Sequence, residues 1–291
     1  MSSCAVSSCA LRITDYSTLF YSRCTLFTLI MKIGIIGAGN MGGAIARGIA
    51  RNTNHALVVS SPNRHGELDS LRLQFPAISV STDNADAVCG ADIIILAVKP
   101  WLIDNVMAEL SGKIDYNRQV LASVVAGVDL NHLAGYAQDC DAPVVFRIIP
   151  NIAIAQGESM TFIAAKNAQD CQIGAICGIF EPLGRVMVVE ERLMGAGTAL
   201  ASCGIAYAMR YVRAAMEGGI ELGFTPRQSL EIVLQTLAGA TAMLAESGEH
   251  PEVAIDRVTT AGGITIKGLN AMERNGFSAS VIEGLKASVT K

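Results

Sequence analysis

Three glycines close together give the first indication of chemistry in this sequence. Gly37, Gly39 and Gly42 have the spacing G-x-G-x-x-G, between an apolar run and a run of small residues typical of a helix. In that context the first glycine permits a tight turn, the second lets the backbone approach a pyrophosphate, and the third lets helix and strand pack closely. The amides of the first helical turn, beginning with Asn40 and Met41, would then face the anion. The pattern predicts a dinucleotide-binding site, with a plain glycine-rich turn as the alternative.

The residues after the next predicted strand indicate which dinucleotide is bound. Enzymes that use NAD carry Asp or Glu about 20 residues after the glycines, where it binds the ribose 2′-hydroxyl, and this sequence has no acid there. Ser60, Ser61 and Asn63 can donate hydrogen bonds, and Arg64 can pair with a 2′-phosphate. We therefore predict NADPH as the cofactor, with NADH as the weaker alternative. For Arg64 the alternative is a solvated loop charge.

Alternating strands and helices are predicted to position these residues. From residue 31 to residue 189 the alternation is typical of an α/β fold with a parallel, doubly wound sheet of the Rossmann type. The run Ile93–Val98 is apolar throughout, which indicates a strand covered on both faces. Residues 190–291 form a predicted all-α domain for substrate binding and dimerisation. Its predicted helices are Leu193–Leu222, Arg227–Ala245, Ile264–Arg274 and Ser278–Val289.

Residues 1–30 differ from the remainder because they are rich in serine and hold three of the eight cysteines. We interpret them as a disordered extension or as a translation start assigned too early, since Met31 directly precedes the first predicted strand. A transit peptide is the alternative, but this segment contains only two arginines, Arg12 and Arg23.

The composition excludes several classes of protein. With 51% hydrophobic and 16% charged residues, the chain has ample material for a core and is not a disordered protein. A net charge of −4 and 5% aromatic residues argue against a nucleic-acid partner. We expect no membrane span, because no window holds about 20 apolar residues. The cysteine and histidine spacing predicts no metal site, and reduced thiols favour a cytoplasmic location.

The second half of the chain carries a further set of motifs. They are Gly248-Glu249-His250-Pro251, Thr260-Ala261-Gly262-Gly263-Ile264-Thr265 and Met272-Glu273, preceded by Ala97-Val98-Lys99-Pro100, Ala126-Gly127-Val128 and Pro150-Asn151. In order and spacing they resemble the pyrroline-5-carboxylate reductase family over essentially residues 31–291. The resemblance implies reduction of 1-pyrroline-5-carboxylate, a small cyclic imine carboxylate, to L-proline by NADPH. It also implies a homodimer or larger homo-oligomer formed through the C-terminal helices.

The resemblance also assigns further cofactor residues. Asn84 matches a family position near the adenosine, and Ala126, Gly127 and Asn151 match positions near the nicotinamide. Ala97, Val98 and Lys99 follow the apolar fourth strand, at the sheet edge where cofactors lie, and the resemblance implies that Lys99 lines the nicotinamide ribose. A solvated loop lysine is the alternative for Lys99.

The loop from Thr260 to Thr265 is the predicted substrate site. A carboxylate needs hydrogen-bond donors, and Thr260 is a plausible N-cap for a helix that begins near Gly262. The amides of Gly262, Gly263 and Ile264 would then be free donors, with the hydroxyls of Thr260 and Thr265 beside them. No side chain is assigned as a catalytic acid, because a protonated imine is already a strong electrophile.

Several positions depart from the family pattern, among them Ala201, Ile205, Ala261 and Ile264, and Ile152-Ala153 after Asn151. They leave open a reductase of another cyclic imine or of a β-hydroxyacid-type substrate, and a dinucleotide-binding regulator without catalytic activity. The β-hydroxyacid class usually needs a lysine in the helical half. Lys267 is the only lysine between Lys166 and Lys286, and it lies outside the long predicted helix. That position argues against the β-hydroxyacid class.

Overall fold

The computed structural model describes residues 30–289. Their contacts divide them into two compact units, with the division between Met194 and Gly195. The predicted domain boundary after residue 189 lies just before this division. The extension predicted over residues 1–30 lies outside the described residues except for its last position, and it stays a prediction.

One eight-stranded sheet forms the centre of the first unit, in the order β3-β2-β1-β4-β5-β6-β7-β8. The strands are β1 Lys32–Ile36, β2 Ala56–Ser60, β3 Ser79–Ser81, β4 Ile93–Leu96, β5 Val120–Ser123, β6 Val145–Ile149, β7 Ser159–Lys166 and β8 Gly184–Val188. All pairings among β1 to β6 are parallel. The α/β fold with a doubly wound sheet is therefore confirmed.

One strand departs from the parallel arrangement of the sheet, and it is β7. This strand runs antiparallel to β6, with Ile149 opposite Phe162 and Val145 opposite Lys166. Only a short segment, which includes the 3₁₀ helix Ile152–Gln156, joins the two strands. A parallel pair needs a crossover of a dozen or more residues, usually a helix. The short connection therefore dictates the reversal, and β8 then pairs parallel with β7.

Helices pack against the sheet in the first unit. They are α1 Asn40–Asn52, α2 His65–Gln74, α3 Asn84–Val88, α4 Ile103–Glu109, α5 Leu130–Gly135 and α6 Asp170–Phe180, with 3₁₀ turns at Pro100–Leu102, Glu181–Leu183 and Glu191–Leu193. Every side chain of β4 is buried, as the apolar run predicts. Ile45 and Ile49 of α1 lie in the main cluster of core side chains. Packing of α1 on the sheet fixes the turn between β1 and α1, where Gly37 and Gly39 lie.

The second unit is helical. Its helices are α7 Met194–Gly197, α8 Gly204–Glu221, α9 Pro226–Ser247, α10 Pro251–Arg257, α11 Ile264–Arg274 and α12 Phe277–Ala287, and α7 begins at the last residue of the first unit. The single helix predicted over Leu193–Leu222 is interrupted by a π-helical segment, Thr198–Cys203. Gly197 and Gly204 flank this segment, and glycine lowers helix propensity at both ends of it. The predicted first-turn proline is confirmed at Pro226.

Large apolar side chains lie on the surface of this helical unit. No residue of α8, α10, α11 or α12 is buried. Met209, Leu234 and Met243 keep 64%, 51% and 52% of their surface exposed. Apolar surface on this scale is typical of a protein–protein interface. Between residues 30 and 289, no helix combines the length and the apolar character needed to cross a bilayer.

Candidate functional site

The end of β1 makes a turn that only glycine allows. Gly37 has φ +109°, and a Cβ there would lie 2.5 Å from the carbonyl oxygen of Ala97. Its amide donates to the carbonyl of Ser60 at 2.8 Å. This hydrogen bond joins the turn to the end of β2. The turn is thereby fixed against the ends of both neighbouring strands.

The other two glycines of the motif have opposite surroundings. A Cβ on Gly42 would lie 2.0 Å from the Gly37 carbonyl oxygen and 2.9 Å from Ala97 Cβ, so Gly42 allows α1 to pack against the turn. A Cβ on Gly39 would meet no atom of the described residues within 4 Å. Gly39 is therefore not needed for packing, and the open space over its backbone is what close approach of a pyrophosphate requires.

The N-terminus of α1 faces this open space with free donors. Gly39 is the N-cap of α1. Because glycine has no side chain, no cap hydrogen bond is made to the amides of the first turn. The Gly43 amide donates to the Gly39 carbonyl at 2.7 Å. Among the described residues, no group accepts a hydrogen bond from the amides of Asn40, Met41 and Gly42. The first turn also has no acidic residue. These donors, together with the helix dipole, fit a pyrophosphate.

The polar residues at the end of β2 divide into buried and exposed groups. Ser60 is fully buried, and its hydroxyl donates to Asn84 Oδ1 at 2.9 Å. The side-chain amide of Asn84 in turn donates to Glu109 Oε2 at 3.2 Å. The interpretation of Ser60 as a donor to the cofactor therefore needs correction, because its proton is used inside the protein. Ser60 and Asn84 hold β2, α3 and α4 together through these hydrogen bonds. The assignment of Asn84 to the adenosine site stays a prediction.

The exposed part of this segment comprises Asn63 and Arg64, with Ser61 largely buried below them. Arg64 Nη1 lies 2.6 Å from Glu67 Oε1, and both side chains are about half exposed. The Arg64 guanidinium lowers the pKa of the Glu67 carboxyl through this hydrogen bond. Sequence reasoning missed Glu67. The signal was its spacing, because residues three apart at a helix start lie on one side of the helix.

Residues assigned by resemblance lie at the same edge of the sheet. β1, β2, β4, β5 and β6 are parallel, so the segments after their carboxyl ends meet there. Lys99 is exposed at the start of the 3₁₀ turn after β4, and Val98 before it is half-buried. After β5, Ala126 is exposed and Gly127 has φ +79°.

Asn151 follows β6 at this edge and is 6% exposed. Its backbone amide donates to Ser159 Oγ at 3.1 Å, and its side-chain Oδ1 accepts from the backbone amide of Ala153 at 3.0 Å. The side chain thus caps the 3₁₀ helix Ile152–Gln156. Asn151 holds the turn between β6 and β7 in shape beside the predicted nicotinamide position.

The loop before α11 differs from its prediction. Helix α11 begins at Ile264 with Gly263 as N-cap, not near Gly262 with Thr260 as N-cap. The Gly263 amide is not free, because it donates to the Thr260 carbonyl at 2.9 Å. Gly262 has φ +69°, which closes a turn from Thr260 to Gly263 and moves the helix start beyond it.

The corrected loop still presents donors. The amides of Ile264 and Thr265 lie in the first turn of α11 and have no acceptor in the described chain. Thr265 is exposed, and Ile264 is 86% exposed. Such a turn can bind a carboxylate without arginine. Within residues 30–289, no three His, Cys, Asp or Glu side chains are grouped to hold a metal ion.

Two family models and several curated relatives match this chain. A model described as pyrroline-5-carboxylate reductase dimerisation matches residues 191–291, and one described as NADP oxidoreductase, coenzyme F420-dependent, matches residues 32–127. The Synechocystis sp. pyrroline-5-carboxylate reductase is 34% identical over 89% of this chain and 96% of its own. Dictyostelium discoideum pyrroline-5-carboxylate reductase 1 is also 34% identical over 89% of this chain, which spans only 49% of that relative.

A solved structure has the same fold. The Plasmodium falciparum pyrroline carboxylate reductase, determined with NADP bound, superposes with a TM-score of 0.77 and 25% identity. The alignment covers 89% of this chain and 95% of that chain. The likeness therefore spans both the sheet and the helical part of the sequence.

Proposed function

Because this chain belongs to the pyrroline-5-carboxylate reductase family, a family of NAD(P)H-dependent oxidoreductases, we propose that it reduces 1-pyrroline-5-carboxylate to L-proline with NADPH. The observation that carries the proposal is the open space over Gly39 beside three amides of α1 that have no acceptor within residues 30–289. A turn built only for stability would not need that glycine. A pyrophosphate needs both the space and the amides.

The reaction requires position more than acid catalysis. NADPH, when bound, supplies a hydride, which adds to the imine carbon while the C=N π electrons become the nitrogen lone pair. The nitrogen of the protonated imine already carries its proton, so no side chain has to donate one in this step. The residues of the chain hold the two reactants and exclude water.

In the proposed assignment, the first unit holds the cofactor. The α1 amides bind the pyrophosphate, and Arg64 with Asn63 and Ser61 binds the 2′-phosphate. The loops that carry Lys99, Ala126–Gly127 and Asn151 lie at the carboxyl edge, where the nicotinamide ribose is expected. Ser60 and Asn84 support this edge from inside through their hydrogen bond.

The loop Thr260–Thr265 of the helical unit binds the substrate carboxylate in this proposal. The amides of Ile264 and Thr265 and the hydroxyl of Thr265 are its donors, at the positive end of the α11 dipole. A Cβ at position 263 would lie 2.5 Å from Thr260 Oγ1 and 3.0 Å from the Thr260 carbonyl oxygen, which favours glycine there. The turn therefore has a defined shape before any ligand arrives.

The match to a dimerisation model, together with the exposed apolar side chains of α8 and α9, supports a homo-oligomer. We propose a homodimer built on these helices as its basic unit.

The described cysteines are free thiols, which supports a reducing compartment such as the cytoplasm.

The direct test is an assay of NADPH oxidation with 1-pyrroline-5-carboxylate as substrate. The oxidation is monitored by near-ultraviolet absorbance, and proline is identified as the product. A 2-keto acid is the control for dehydrogenases of the β-hydroxyacid type, and NADH is run in parallel. Substrate-dependent oxidation that yields proline supports the proposal. Tight NADPH binding without turnover of this imine would contradict it.

We expect Arg64→Ala to raise the Kd for NADPH about tenfold, or about 1.4 kcal/mol, because a charge-assisted contact to the 2′-phosphate is lost. The Kd for NADH should stay within twofold, since that ribose has no phosphate. Both values can be measured by fluorescence titration. An unchanged ratio of the two Kd values would show that Arg64 does not contact the 2′-phosphate.

We expect Thr265→Val to raise KM for 1-pyrroline-5-carboxylate about tenfold, since a hydrogen bond to a charged group is worth about 1.5–3 kcal/mol. The side chains have nearly the same shape, so α11 should be undisturbed. The Kd for NADPH, determined without substrate, serves as the control and should not change. Equal weakening of both ligands would contradict the placement of the carboxylate.

A further inference from the structure

An ion pair stands directly beyond the end of β2. Arg64 is the residue before α2, and its carbonyl accepts from the Leu68 amide at 3.1 Å. Glu67 lies in the first turn of that helix, with Oε1 at 2.6 Å from Arg64 Nη1. The Arg64 amide also bonds the Ser61 carbonyl at 3.4 Å. Backbone hydrogen bonds on both sides of Arg64 therefore fix the part of the chain that carries the two side chains.

The Glu67 carboxylate binds the same guanidinium that, in the proposed function, binds the 2′-phosphate. No acid lies between Ser61 and His65, so Glu67 is the first carboxylate after β2. Its pKa is lowered, chiefly by the hydrogen bond from Arg64, and the carboxylate is ionised at neutral pH. A phosphate that approaches Arg64 must displace this carboxylate or share the guanidinium with it, and in both cases two anions come close together.

A ribose with a free 2′-hydroxyl meets no such conflict. Arg64 stays paired with Glu67, and the uncharged hydroxyl is not repelled by the carboxylate. The cost of Glu67 therefore falls on the phosphorylated ligand alone. A general electrostatic effect of one surface acid would instead weaken every anionic ligand, because the pyrophosphate is common to both cofactors.

We propose that Glu67 is a specificity-determining residue that reduces the preference of this chain for 2′-phosphorylated dinucleotides by competing for the Arg64 guanidinium. The proposal rests on the proposed cofactor function and adds a residue that opposes Arg64. It makes the preference for NADPH over NADH the balance of two neighbouring side chains, a cation that favours the phosphate and an anion that limits it.

The test compares binding to the full-length chain and its Glu67→Gln variant. The ligands are NADPH, NADH, 2′,5′-ADP and 5′-AMP, titrated by calorimetry at low salt. Glutamine keeps the size of the side chain and removes its charge. We expect the Kd for NADPH and for 2′,5′-ADP to fall about three- to fivefold, the range of an exposed ion pair. The Kd for NADH and for 5′-AMP should not change.

The chain offers a matched control on the same helix. Asp69 pairs with Arg72 at 3.9 Å, also three residues apart and exposed. Asp69→Asn removes the same charge two residues further along and should leave all four Kd values unchanged. The gain in Glu67→Gln should also disappear at about 1 M salt, where the Debye length is about 3 Å.

Several results would overturn the proposal. Weaker NADPH binding in Glu67→Gln would mean that the carboxylate orients Arg64 for the phosphate. An equal gain in affinity for NADH, or the same gain for NADPH in Asp69→Asn, would show that the effect comes from the net charge of the surface and not from Glu67 at Arg64. Failure of the reductase function is a separate result, because it would appear as absent turnover of the imine in a chain whose dinucleotide binding is intact.

Discussion

Replacement of Gly39 with alanine is expected to raise the Kd for NADPH on the order of 100-fold, about 2.7 kcal/mol, in a chain that remains folded. The added methyl group occupies the space that a pyrophosphate needs over the first turn of α1. It meets no atom of residues 30–289 within 4 Å, and Gly39 has φ −70°, which alanine adopts without strain. The thermal midpoint should change little, since alanine in place of glycine at an N-cap costs at most about 1 kcal/mol.

Gly42→Ala is the matched comparison for this experiment. It adds the same methyl group three residues on, where it would lie 2.0 Å from the Gly37 carbonyl oxygen. That variant should lose stability as well as cofactor binding, as measured by thermal denaturation and fluorescence titration. If the Kd of Gly39→Ala for NADPH is within twofold of the Kd of the unchanged chain, the pyrophosphate does not lie against α1.

The second large effect is expected from a charge on the exposed apolar surface of the helical unit. Leu234→Glu should convert the homo-oligomer into smaller species, detected by light scattering after gel filtration. Leu234 is 51% exposed within one protomer. Burial of a leucine is worth about 1.5–3 kcal/mol, and a two-fold interface loses this contact twice. We expect the dissociation constant of the dimer to rise at least about 100-fold.

Gln235→Glu provides the control, because it introduces the same charge at the next residue of α9, which is also exposed. It should leave the assembly intact. Unchanged assembly in Leu234→Glu would exclude this part of α9 from the interface. Dissociation in both variants would point to net charge, not to the contact made by Leu234.

The nucleotide-binding half could be predicted well because local rules decide it. The glycine spacing needs only a strand before it and a helix after it, and both are present at β1 and α1. The apolar run at β4 is typical of a strand covered on both faces, as strands of a parallel sheet are. The bounds of helix α11, Ile264–Arg274, were predicted from the periodic apolar residues that follow a Gly-Gly pair, and only the cap assigned to Thr260 placed its start near Gly262.

Other features depend on information that periodicity does not carry. Helix α6 was missed because its sequence is apolar on most sides, although Gln169 and Gln172 form a capping box at its start. The Thr260 cap was wrong because a positive φ at Gly262 cannot be read from a glycine's presence alone. The burial of Ser60 depends on Asn84, a residue on another element.

The reversal of β7 affects the order in which the sheet can assemble. Pairing of β6 with β7 closes only a short loop, whereas each parallel pair must close a longer connection that includes a helix or another strand. Loop closure costs conformational entropy that grows with loop length, and local contacts form faster than distant ones. The antiparallel pair is thus the least costly strand contact for an unfolded chain to make. It gives β5 and β8 a preformed edge on which to add, so the growth of the sheet can begin far along the sequence from the nucleotide-binding glycines.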